Sequence, residues 1–272
     1  MNEQINDQPF NEQPHEELTR MVEPEIKKMG AIQRIISLFI APGELMRNIK
    51  AYPVVLVPFI LSIVIGLASI PVTMQGQELM TRELSNISIE RYGVDLMNLV
   101  IGADEYGDDL AAAMDVVMMV TTVAMVIIGP LLISFFIALG ILILSKIARG
   151  NAKLGQLFSL YLHIYIISLL GALISIGLMV TTDNYLDLTS LAAVFMPGGN
   201  ISMLPFNLLS GISVFSIWTA ILSYLGIKIL NDFSGVKAGV ITLIAFLVGL
   251  AIHVGTFMST FIMWDLAMGM GI

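Results

Sequence analysis

Between Asp115 and Lys146 the chain reads VVMMVTTVAMVIIGPLLISFFIALGILILS, residues 116 to 145, thirty positions without one charged side chain. A helix of that length measures about 45 Å at 1.5 Å per residue, more than the roughly 30 Å of hydrocarbon in a bilayer. A strand of a membrane barrel would alternate apolar and polar residues with period two, and this stretch does not. Only helices and closed barrels satisfy backbone groups in lipid, so the stretch reads as a transmembrane helix.

Four further runs of the same kind flank it. With this one they place spans at about 52–72, 113–145, 155–180, 205–229 and 238–264. The predicted fold class is therefore all-α, a polytopic bundle of five transmembrane helices occupying residues 52–272. The composition agrees. Of 272 residues, 57% are hydrophobic and 12% charged, against about 25% charged in a soluble domain. The 18 Met and 13 Phe suit helix packing in lipid.

Upstream of the first span the chain changes character twice. Residues 1–30 are rich in Asn, Gln, Glu and Pro, and read as a disordered tail. No cleavable signal peptide is visible there, so the first span is expected to act as an uncleaved signal-anchor. In residues 31–51, Ile32, Ile35, Ile36 and Phe39 recur at helical spacing, and Pro42 and Glu44 restart a second short helix. These two amphipathic helices are expected at the interface, lying on the membrane or docked on the bundle or on a partner, with Arg47 and Lys50 in reach of phosphates.

Basic residues set the orientation. Eleven of the thirteen Lys and Arg precede span one or lie in the loops after spans two and four; Arg82 and Arg91 are the two on the other side. The positive-inside rule then puts the N-terminus in the cytoplasm and the C-terminus outside. The net charge of −8 and the lack of a basic arm argue against nucleic-acid binding. With no Cys, disulfides, thiolate metal sites and Cys nucleophiles are excluded.

Few residues point to chemistry. His163 and His253 fall inside predicted spans, where ionisable groups are candidate functional sites. A neutral imidazole making an interhelical hydrogen bond is the competing reading. Gly129-Pro130 is expected to kink or break span two, and broken helices occur at transporter binding sites. Asp104, Glu105, Asp108, Asp109 and Asp115 form an acidic cluster, read either as oxygen ligands for a divalent cation or as acids favoured at a helix start. No phosphate loop, nucleophile elbow or zinc-protease helix is present. No catalytic residue, cofactor or metal site is assigned.

Three stretches in order resemble the bacterial form of the Yip family, the Ypt/Rab-interacting five-span membrane proteins. The first is Ala41-Pro42-Gly43-Glu44 with Arg47, Ile49 and Tyr52-Pro53. The second is Leu154-Gly155-Gln156-Leu157-Phe158 running into Ser159-Leu160-Tyr161. The third is Phe215-Ser216-Ile217-Trp218, then Gly226-Ile227-Lys228 and Ser234-Gly235-Val236-Lys237-Ala238. The resemblance marks Pro42, Pro53, Trp218, Lys228 and Lys237 as family-like positions. It implies a non-enzymatic accessory or scaffold protein of a bacterial inner membrane, acting in membrane organisation, trafficking or assembly of a transport system. Its implied partners are the bilayer and other membrane proteins, ABC-type transporters among them, or further copies of itself. The chain has no Tyr before Tyr52, so the Tyr-containing cytosolic motifs of the eukaryotic members are absent. The alternatives are a small transporter or permease subunit using His163, His253 and Pro130, and a membrane enzyme acting on a lipid-linked substrate.

Overall fold

The structure, a computed structural model, describes residues 26–95 and 107–269. Its helices are α1 (Ala31–Ile40), α2 (Pro42–Ala51), α3 (Leu56–Tyr92), α4 (Gly107–Ile147), α5 (Leu154–Thr182), α6 (Leu191–Phe195), α7 (Leu204–Ser210), α8 (Val214–Asn231) and α9 (Gly235–Gly269). Among the described residues the only extended pairing is an isolated bridge between Ser190 and Ser213. Five of the helices, α3, α4, α5, α8 and α9, are long and apolar enough to cross a membrane. The chain is an all-α, multi-pass membrane protein.

Helix α5 is the centre of the bundle and packs against α3, α4 and α8. Its first half carries large apolar residues on every side, and Leu157, Leu160, Leu162 and Ile166 are all fully buried. A helix apolar all round belongs inside. Close approach is set by small residues. A Cβ on Gly66 of α3 would lie 2.7 Å from Val126 of α4, so the Ser62-x-x-x-Gly66 pair sits at a tight crossing. The similar Ala245-x-x-x-Gly249 pair in α9 makes no such crossing, because a Cβ on Gly249 would meet nothing within 4 Å.

Two helices differ from what the apolar runs predict. Helix α3 does not stop near residue 72 but continues through Pro71 to Tyr92, where Gly93 turns left-handed at φ 71°. Its 37 residues measure about 55 Å, so its far half projects past the hydrocarbon. There Ile87 joins a second apolar cluster with Leu186, Phe206 and Phe261. Arg82 pairs with Asp183 at 2.8 Å and Arg91 with Asp265 at 3.3 Å. One proline removes one backbone donor, and that packing outweighs the loss. Helix α4 likewise runs unbroken through Pro130.

The run read as one span over 205–229 is divided. Helix α7 ends at Ser210 and α8 begins at Val214. Ser213 caps α8 by accepting from Ser216 N at 3.1 Å, and Ser216 Oγ accepts from Ser213 N at 2.8 Å. This reciprocal cap competes with helix continuation at those residues. In the acidic cluster, Asp104 and Glu105 lie outside the described residues, and Asp108, Asp109 and Asp115 fall in the opening turns of α4.

Candidate functional site

The first two stretches and the Gly226–Ala238 part of the third, distant in sequence, meet at one end of the bundle, which also carries the basic loops; Phe215 and Ser216, at the start of α8, lie toward the other end. Helix α2 opens on Pro42 and packs on α8 and α5, burying Leu45, Met46 and Ile49 completely, as α1 buries Leu38. Pro53 lies in the short link between α2 and α3. That link is fastened to α5 by side chains. Ser159 Oγ donates to Val54 O at 2.7 Å and accepts from Val54 N at 3.1 Å. Gln156 Nε2 donates to Lys50 O at 2.7 Å. On the other flank, Asp232 adopts a left-handed turn at φ 57° and pairs with Lys50 at 2.5 Å. Lys237 Nζ donates to Ala148 O at 3.2 Å, and Asn231 Oδ1 accepts from Ala152 N at 3.1 Å. Lys228 lies 6.0 Å from the Tyr224 ring centre, and Trp218 packs against the same core.

Arg34 is turned inward at this end, with 1% of its surface exposed. Its Nη2 donates to Asn48 Oδ1 at 2.6 Å and to Tyr52 O at 2.8 Å, so it serves acceptors at the end of α2. Among the described residues no carboxylate pairs with it, and its Nη1 is buried without a partner. Burial lowers its pKa from the ordinary guanidinium value. His163 is fully buried nearby, within range of the Arg34 charge. Its Nδ1 contacts Ser159 O at 2.6 Å. A carbonyl only accepts, so Nδ1 carries the proton and Nε2, buried and unpartnered, presents a lone pair.

A second feature lies toward the opposite end, between α5, α7, α8 and α9. A cavity of about 550 Å³ is lined by hydroxyls, by Asp187 and Asn207, and by His253. A smaller one of about 310 Å³ adjoins it and shares Ser168, Ser216, Thr219 and His253. His253 Nε2 contacts Ser210 Oγ at 3.1 Å, and its ring lies 5.2 Å from that of Phe257. Gly211, in the gap between α7 and α8, passes so close to α9 that a Cβ would sit 2.9 Å from His253 Cδ2.

A family model described as the Yip1 domain matches residues 36–256. The chain belongs to the Yip1 family. No curated protein and no solved structure matches it.

The Yip1 match runs from the middle of α1 into α9, so it takes in all three stretches and both histidines. The structure does not bring His163, His253 and Pro130 together. His163 is fully buried within α5, His253 lines the cavities, and Pro130 lines a separate recess with Gly66 and Tyr165. Tyr161 and Tyr165, one turn apart, flank His163 in sequence and face other neighbours, Tyr161 beside Ser223 and Tyr165 in the Pro130 recess. Among the described residues no group of three His, Asp or Glu side chains is placed to hold a metal. Sequence reasoning missed the roles of Asn48, Ser159, Asn207 and Asn231. Ser159 stood inside a quoted stretch, and a small polar residue in an apolar run was the available signal.

Proposed function

We propose that this Yip1-family protein is a non-enzymatic accessory protein of a bacterial inner membrane, with its N-terminus in the cytoplasm, that binds other membrane proteins. One observation carries the proposal. Helix α1 has two working faces. Its inner face seats Arg34, Ser37 and Leu38 in the bundle, while Ile32 and Ile40 stand 76% and 77% exposed beside Ile36 and Phe39. An amphipathic helix resting alone on a bilayer turns its charge to water. This one turns its charge into the protein and holds an apolar ledge outward. Exposed apolar surface beside transmembrane helices meets lipid or the helices of another membrane protein. The side-chain fastening of α1 and α2 to α5 and α8 keeps the ledge rigid, which lowers the ordering cost of binding.

The test is purification of the tagged full chain from its host in mild detergent, with mass spectrometry of co-purifying proteins. A photo-crosslinking residue at Ile36 or Phe39 then asks which of them touches the ledge. A stoichiometric membrane protein crosslinked from α1 supports the proposal. Adducts to lipid alone, with a clean homo-oligomer and nothing else attached, refute it.

A further inference from the structure

Independently of that role, we propose that the cavity beside His253 binds an organic cation, a protonated amine bearing an apolar group. The argument follows the protons of the cavity wall. Ser210 Oγ donates to Asn207 O at 3.0 Å, so in the contact with His253 the proton belongs to Nε2 of the imidazole, and Nδ1 keeps a lone pair. Asn207, 1% exposed, donates its amide protons to Ile201 O at 2.5 Å and Met203 O at 3.1 Å, leaving Oδ1 as an acceptor. Thr189 Oγ1 donates to Asp187 Oδ1 at 2.7 Å, which makes Ser175 the donor in its 3.0 Å contact with Thr189. Ser216 and Thr219 donate to carbonyls one turn back, and Tyr185 donates to Gly199 O at 2.7 Å. The protons of these groups are committed inside the protein and their lone pairs remain for the cavity, while the hydroxyls of Ser168 and Ser213 are free to turn either way.

Charge points the same way. Among the described residues no Lys or Arg lines the cavity, and the one acid is Asp187. The break between α7 and α8 could favour an anion through the start of α8, but Val214 N is already bonded to Thr189 O at 3.1 Å and Ser216 N to Ser213 Oγ. Irregular backbone within an apolar run persists where it lines a cavity, and interrupted helices form the cation sites of several transporters. The rings of Phe206, Phe215 and Phe257 supply apolar and cation–π surface. The volume, about 550 Å³, falls in the ~300–1,000 Å³ range of small-molecule sites and exceeds what a bare alkali ion fills.

The experiment uses the full chain in detergent and three probes of matched shape: phenethylammonium, 2-phenylethanol and phenylacetate. Calorimetric titration is expected to show the ammonium binding at least tenfold tighter than the alcohol, with no binding of the carboxylate. Asp187→Asn keeps the Oδ1 acceptor for Thr189 and should weaken ammonium binding about tenfold. Ala172→Phe, on the cavity wall, should abolish it. Equal affinity for the ammonium and the alcohol, displacement by equimolar sodium or potassium, or undiminished binding by folded Asp187→Asn protein would each overturn the proposal.

Discussion

Replacing Ser159 by Ala removes the hydroxyl that holds both polar groups of Val54. Each hydrogen bond contributes about 1 kcal/mol net, and a buried group left without a partner costs about 1–3 kcal/mol. Val54 is half-buried, so water or headgroups recover part of the loss, and the lower end applies. The total is about 2 kcal/mol, close to a 30-fold change in an opening equilibrium. The His163 contact uses the Ser159 carbonyl and survives the substitution. The loss therefore falls on the link between α2 and α3 and not on the centre of α5. Amide hydrogen exchange in detergent should show Val54 exchanging about 30-fold faster in Ser159→Ala, with protection across Leu160–Ile167 unchanged. Gln156→Ala, which removes the bond to the carbonyl of Lys50 and also the acceptor that caps Lys153 N, should give a smaller acceleration at Val54. Unchanged exchange at Val54 would show that Ser159 does not fasten the link. Loss of protection throughout α5 would show that its role lies in the helix core.

Other substitutions follow from the same geometry. Arg34→Lys cannot reproduce the two bonds from Nη2 to Asn48 and Tyr52, so limited proteolysis between residues 26 and 55 should quicken, with stability lower by about 1–3 kcal/mol. Gly171→Ala places a Cβ 2.6 Å from Phe215 Cγ and should cost about 1–3 kcal/mol in thermal unfolding. On the same helix a Cβ on Gly177 meets nothing within 4 Å, and Gly177→Ala should stabilise by about 0.5–1 kcal/mol; equal effects at the two positions would contradict the packing described. A membrane-impermeant maleimide applied to intact cells should label Glu90→Cys and spare Asn151→Cys, both exposed positions in a chain with no native Cys. The reverse pattern would invert the proposed orientation.

The five-helix architecture was legible because its cause is one-dimensional: an uncharged run longer than the bilayer is thick needs no knowledge of its neighbours. The order of the Pro42, Gln156 and Trp218 stretches was legible for a similar reason, and it led to the Yip family that the Yip1 match shows. What escaped depends on contacts across the chain. Ile32 and Arg34 alternate along α1, and nothing local says that the arginine faces inward; that follows from carbonyls at the end of α2 needing donors. The first span reads as ending near residue 72, where its apolar run ends, because the cluster around Ile87, Phe206 and Phe261 that carries α3 beyond that point is built from three distant segments. The gap at residues 211–213 had a local signal, Ser213 and Ser216 at capping-box spacing, but it was hidden within an apolar run. The two histidines were found by type, and their different surroundings came only from the packing.

The fastening of the first helices to later ones also has a consequence in time. Lys50 and its partner Asp232 are separated by 182 positions in the chain, which at about 5–20 residues per second is roughly 10–40 s of ribosomal synthesis. Throughout that interval α1 and α2 have emerged and the surface of α8 that receives α2 has not been made. The apolar sides of Leu45 and Met46 must wait in the company of headgroups, water or a chaperone. Docking of the N-terminal segment is thus among the last events of biogenesis. Its completion reports that the chain has been inserted as far as α8, so a protease that cleaves the undocked segment would discard chains that stalled before it.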